Sequence, residues 1–197
     1  MNRVSSIHNE IANSLEESAQ IKRAIAKSKI SEIEHIVKVI IRAYKTGGKV
    51  VLFGNGGSAA DAQHIAGELV GRFNLNRRAL PAIALTANTS TLTAVANDCG
   101  YEMVFSRQVE ALVNEKDVIV GISTSGNSPN VIKAVKTAKM KGAKTIGLTG
   151  GNGGKLAETA DLVLIVPSDS TPRIQEAHIT IGHIVCELVE RELSDTG

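Results

Sequence analysis

Five short apolar runs constrain this chain more than any other feature. They are "KVVLFG" ending at Gly54, "LPAIALT" ending at Thr86, "DVIVGIS" ending at Ser123, "KTIGLTG" ending at Gly150 and "DLVLIVP" ending at Pro167. Each run is continuous rather than alternating and is bounded by Gly, Pro or polar residues, so each reads as a strand buried on both faces. Helical patterns separate them, over 58–73, 89–96, 105–113 and 129–141, with a short turn near 155–159 and a last long helix over 172–193. Strands alternating with helices predict an α/β fold: a three-layer, doubly wound, five-stranded parallel sheet with helices on both faces.

The first part of the chain has a different period. "SSIHNEIANSLEESAQIKRAIAKS" carries apolar residues at helical spacing, and "SEIEHIVKVIIRAYKTGG" follows with a Ser cap and a Gly-Gly stop. This predicts an N-terminal helical hairpin. The expectation is one domain over 1–197, with N-terminal helices over 1–47 and the sheet core and C-terminal helix over 48–197. Helix one carries Val4, Ile7, Ile11, Leu15, Ile21 and Ile25, a stripe too long to end on a small sheet, and pairing with another subunit would bury it.

Composition removes several classes of function. Aromatics make up 3% of the 197 residues and Trp is absent, which argues against stacking platforms for single-stranded nucleic acid. A net charge of +2, dispersed along the chain, gives no ground for a nucleic-acid or membrane partner. No apolar run reaches the ~18 residues of a membrane span, and "MNRVSSIHNEIANSLEES" is amphipathic rather than a signal peptide. Cys99 and Cys186 make no disulfide framework, and Cys99 reads as a small buried residue. The expected location is the cytoplasm.

Two loops at strand ends stand out, where ligands of such a sheet bind. "GNGGS" follows the first strand and leads into a helix opened by Ser58. "STSGNSPN", 123–130, packs Ser123, Thr124, Ser125 and Ser128 around Gly126, then starts a helix with Asn127 or Ser128 as cap and Pro129 as its first residue. Unpaired N–H groups at a helix start, with hydroxyls beside them, make a neutral, donor-rich site for a phosphate monoester. No phosphate-loop Lys follows and no Gly-x-Gly-x-x-Gly is present, which disfavours nucleotides.

His64 and Glu68 share a helix face one turn apart, immediately after the first glycine loop. An imidazole nitrogen and a carboxylate oxygen so placed can converge on one divalent ion, or form an ordinary helix pair. Gln175, His178 and His183 are polar residues on an otherwise apolar last helix. Asp61 and Gln63 flank His64 as supporting partners or as an exposed helix face. Asp169 follows the fifth strand, at the ligand end of the sheet, and Arg72 could meet a ligand hydroxyl or a neighbouring carboxylate. Arg77 and Arg78 in "NRRAL" read as a solvated charge run.

"GNGGSAADAQHIAGEL", "ANDCGYEMVFSRQVEAL", "GISTSGNSPNVIKA" and "TPRIQEAHITIGHIVCELVE" closely resemble the phosphoheptose isomerase branch of the SIS, or sugar isomerase, family, over about 48–192. The resemblance implies a five-stranded parallel sheet and homotetramers with active sites at subunit interfaces. It implies that Ser123, Thr124, Ser125 and Ser128 hold the phosphate of a seven-carbon sugar. It implies too that Asn55, Gly56, Gly57, Asn97 and Asp98 contact the sugar. With Ser58, Glu68, Arg72, Asp169 and Gln175 these complete the expected substrate set. The family pattern implies one Zn2+ per subunit on His64, Glu68, Gln175 and His183, with Glu68 and His183 as the catalytic acid–base pair. By spacing alone the pairing is awkward, because Gln175 and His183 lie ~12 Å apart in rise along their helix. His178 is an alternative ligand, or a buried hydrogen-bonded histidine.

The implied reaction is aldose–ketose isomerisation of sedoheptulose 7-phosphate to D-glycero-D-manno-heptose 7-phosphate through a cis-enediol, for the heptose of bacterial lipopolysaccharide or another surface glycan. Other readings of the same family pattern are an isomerase of another sugar phosphate, or a non-catalytic adaptor that binds a replication initiator protein. The adaptors lack the carboxylate at the Glu68 position.

Overall fold

The computed structural model describes residues 3–194, with side chains from residue 6 onward. Five parallel strands, β1 (Val50–Gly54), β2 (Ala82–Ala84), β3 (Val118–Ile122), β4 (Lys144–Gly150) and β5 (Leu162–Val166), form one sheet in the order β2-β1-β3-β4-β5. The order reverses between β1 and β3, so the crevice at their carboxyl ends is the topological switch point.

Among the described residues, eight α-helices accompany the sheet: α1 (Arg3–Ser28), α2 (Ile30–Lys45), α3 (Gly57–Val70), α4 (Thr89–Cys99), α5 (Ser106–Leu112), α6 (Pro129–Met140), α7 (Gly154–Thr159) and α8 (Thr171–Ser194). Side chains alternate across each strand. Val50 and Leu52 of β1 enter a core with α2, α3 and α8, built from residues such as Ile36, Ile40, Ile65 and Ile181. Val51 and Phe53 enter the opposite core with Val109, Val131, Val135 and Leu156. All four of these β1 side chains are buried, which stabilises the fold by about 1.5–3 kcal/mol each for residues of this size.

Burial on both faces holds for β1 and β3 and, past its first residue, for β4. It does not hold for β2 and β5, where Ile83 is exposed and Leu162, Val163 and Ile165 are only partly covered. These two are the edge strands, where helices cover the sheet less fully. The first two helices are joined at Lys29. Ile25 is buried, but Ile7, Ile11 and Leu15 on α1 remain 56%, 59% and 67% exposed. Val4 lies outside the described side chains.

α3 and α8 lie side by side and point the same way. Gly57 meets Gln175 near their starts, and Ile65 meets Gly182 further along. Both begin at the carboxyl edge of the sheet, so their partly positive N-termini face the crevice.

Candidate active site

β1 turns into α3 through three glycines: a Cβ on Gly54 would fall 2.8 Å from the Ile122 carbonyl, and Gly56 adopts φ +55. A Cβ on Gly57 would fall 2.5 Å from Nε2 of Gln175, so glycine there lets the Gln175 amide lie against the helix start. Asn55, just before, is held on both sides. It exchanges two 2.9 Å hydrogen bonds with the Asn130 amide and accepts a third from the Tyr101 hydroxyl at 3.1 Å. Asn130 and Tyr101 were not foreseen as partners, although both lie in the quoted motifs. Ser58 is buried on the first turn of α3.

The second loop crosses from β3 to α6. Ser128 is the residue before α6, but its hydroxyl does not cap the helix; it lies 2.9 Å from the Ser123 hydroxyl. Gly126 adopts φ +67, and a Cβ on it would sit 2.0 Å from the carbonyl of Gly153. The loop also accepts from the next turn: Leu156 N–H donates to the Gly126 carbonyl and Lys155 N–H to the Asn127 side-chain oxygen. Thr124 and Ser125 open onto a cavity of about 330 Å³, whose other side is Gly151, Asn152, Asp169 and Thr171. Asp169 thus stands across that space from the hydroxyl loop.

Further along the paired helices, His64, Glu68 and His183 come together. His64 Nε2 lies 3.1 Å from Glu68 Oε1 and 3.2 Å from His183 Nε2, and one ligand atom from each residue falls within 4.8 Å of the others. The imidazoles meet edge to face with centroids 4.9 Å apart, and the Phe73 ring packs on His183 at 5.6 Å. Bonds of ~2.1 Å in a tetrahedron separate neighbouring ligand atoms by about 3.4 Å, so this donor set suits a zinc ion. One nitrogen carries one proton or one lone pair and cannot serve both of its neighbours; a cation between the three groups can. Gln175 stands eight residues earlier on α8, against Gly57.

Other expected residues lie further out. Asn97 and Asp98 are exposed on the last turn of α4 and bonded to each other at 2.8 Å, one turn before Tyr101. Arg72 is exposed and has no hydrogen bond or ion pair among the described residues. Cys99 is exposed, not buried, because α4 buries none of its residues. His178 is not with the triad. It is fully buried, and because a carbonyl only accepts, its Nε2 donates to Thr149 at 3.1 Å. Burial pushes its pKa down to about 4, against that hydrogen bond, so it is a neutral core histidine. Asp61 is half-buried with one oxygen lacking a partner, and burial pushes its carboxyl up to about 6 despite the nearby His64.

Arg77 is not solvated. Its side chain is 5% exposed and pairs with Glu190, 1% exposed, at 2.9 Å. Burial pushes the Glu190 carboxyl up, but backbone N–H groups of Asn74, Phe73 and Leu75 and the Arg77 charge outweigh it and hold the group below the usual carboxylate range. The pairing was invisible in the sequence because the partner lies on the last helix.

The SIS domain profile matches residues 15–150. A phosphoheptose isomerase of Clostridium acetobutylicum is 58% identical over 183 residues, 89% of this chain and 93% of its own. The solved phosphoheptose isomerase of Neisseria gonorrhoeae superposes with a TM-score of 0.90 at 42% identity, over 94% of this chain and 99% of that one. That of Francisella tularensis gives 0.91 at 39% identity, over 97% and 100%.

Proposed function

The chain belongs to the SIS domain family, among its phosphoheptose isomerases, and from that premise we propose how its residues divide the work. The enzyme is an aldose–ketose isomerase that interconverts sedoheptulose 7-phosphate and D-glycero-D-manno-heptose 7-phosphate. The observation that carries the assignment of roles is the convergence of His64, Glu68 and His183 on two helices whose N-termini face the crevice.

Ser123, Thr124, Ser125 and Ser128 take the phosphate, with the start of α6 behind them. Asn55, fixed by Asn130 and Tyr101, presents the glycine turn to the sugar with Gly56, Gly57 and Ser58. Arg72, Asn97, Asp98, Asp169 and Gln175 complete the contacts to its hydroxyls. Glu68 takes the proton from C1 while the electron pair moves into C1=C2. His183 gives a proton to the oxygen on C2 as the enediol forms. Glu68 then returns its proton to C2, and His183 takes the C1 hydroxyl proton as the aldehyde forms, which restores both groups. His64, Glu68 and His183, with Gln175, are the residues that would hold one zinc per subunit. Zinc held there would supply Lewis acidity that polarises the substrate carbonyl.

The subunits form a homotetramer with sites at their interfaces. Exposed Ile7, Ile11 and Leu15 on α1, and an apolar groove between α2 and α8 lined by Ile33, Val37, Ile184 and Leu188, support this reading. The enzyme works in the cytoplasm, supplying heptose to lipopolysaccharide or another surface glycan.

Incubation with sedoheptulose 7-phosphate, followed by NMR, tests the assignment alongside elemental analysis for zinc. Glu68→Gln is expected to lower kcat about 10²–10⁴-fold, the usual contribution of a general base, while the folded variant still binds substrate. A folded tetramer that never turns over, with zinc supplied, would instead favour the adaptor reading.

A further inference from the structure

We propose that the buried Arg77–Glu190 pair is a positioning clamp that sets His183 and Glu68 relative to each other. The inference rests on the roles assigned above to those two residues. Between Val70 and Ala82 the chain forms no helix or strand, yet it joins the end of α3, which carries Glu68, to the edge of the sheet. Glu190 holds this segment: Oε1 accepts from Phe73 N–H at 2.8 Å, and Oε2 from Asn74 and Leu75 at 2.6 and 2.9 Å. That grip fixes Phe73, whose ring lies on His183. Glu190 follows His183 by two turns on the same side of α8, so the helix that carries the imidazole also carries the anchor of the ring packed on it.

Arg77 closes the other half. Its Nε meets Glu190 Oε1, while Nη2 donates to the Glu68 carbonyl at 3.0 Å and Nη1 to the Leu69 carbonyl at 2.9 Å. The guanidinium thus satisfies carbonyls at the last turn of α3, including that of Glu68 itself. One ion pair ties the backbone of the base to the helix of its partner and to the ring that orients that partner. Arg77 and Glu190 are themselves buried, with side chains 5% and 1% exposed.

A plain structural role would cost stability alone, so the test needs a matched control. Asp117 provides it: this buried carboxylate also pairs with a cation, Lys49, and accepts backbone N–H groups of Lys49 and Asn114, at the far end of β1. Glu190→Gln and Asp117→Asn are made in the full chain, and loss of thermal stability, kcat, KM and zinc affinity by chelator competition are measured for both. The clamp predicts that Glu190→Gln lowers kcat and weakens zinc binding by about 10–100-fold, the usual effect of losing a ligand's supporting contact. KM should stay within about twofold, and Asp117→Asn should lose stability with kcat and zinc affinity unchanged. Equal losses of kcat in the two variants, or none in Glu190→Gln, would overturn the clamp.

If Glu190→Gln does not fold, Phe73→Leu decides, because it keeps the pair and removes only the ring on His183. Unchanged kcat and zinc affinity in that variant overturn the proposal; a several-fold loss of either supports it. A wild-type protein that turns over no phosphoheptose sinks the isomerase roles and leaves zinc affinity as the clamp's readout.

Discussion

At the scale of single residues, neighbouring groups and burial decide what each polar side chain can do. His64 Nε2 faces a carboxylate oxygen and an imidazole nitrogen at 3.1 and 3.2 Å, and no single proton suits both. Asp61 is the opposite case, a carboxyl whose pKa rises from 3.8 to about 6 through burial. Between those values the native state keeps a proton that the unfolded chain has released, so stability falls as pH rises through that window. Asp61→Asn should therefore raise the stability of zinc-free protein above pH 6, by about 1 kcal/mol after allowing for solvent access, and change nothing below pH ~4. Urea unfolding at the two pH values measures it. Glu190 runs the other way. Its carboxyl sits below the ordinary range, so its contribution is present above the unfolded pKa of ~4.3 and is lost as pH falls through the lower native one. Acid unfolding followed by circular dichroism should show that arm in the wild type and lose it in Glu190→Gln. Stripping one partner from so buried a pair typically costs about 3–5 kcal/mol.

At the scale of elements, the loop between β3 and α6 depends on a backbone that only glycine adopts easily. Gly126→Ala places a methyl group on the Gly153 carbonyl at φ +67, a strain of at least about 1–3 kcal/mol. The variant should melt earlier and bind inorganic phosphate more weakly, as calorimetry would read. This loop was legible in the sequence because its chemistry is contiguous: hydroxyls, glycine and helix-starting proline follow one another. The strands were legible for the same reason, each being one local run. What local pattern could not give was strand order, and with it the partial exposure of β2 and β5. Nor could it give Arg77, whose charge looked solvated because Glu190 lies 113 positions later. The triad falls between these cases. His64 and Glu68 are one helix turn apart and readable, whereas His183 came from family resemblance and its contact with His64 from the packing of α3 on α8.

At the scale of the whole molecule, one chain leaves an apolar stripe uncovered along α1, while the same helix is tied to α8 by Arg173, which bonds the Ser14 carbonyl and Glu17. For the tetramer proposed above, Leu15→Glu and Ile11→Glu together should give smaller species in analytical ultracentrifugation, with the secondary structure retained. The hydroxyl loop has a consequence of its own for the milieu in which the molecule works. From Ser123 to Asn130 it contains neither lysine nor arginine. As the proposed phosphate site, it would attract an anion through dipoles and hydroxyl groups at contact distance, not through net charge felt across a Debye length of about 8–10 Å. Affinity for a phosphorylated sugar should consequently hardly change between dilute buffer and half-molar potassium chloride. A cell that concentrates or dilutes its ions would leave this catalyst's saturation almost untouched.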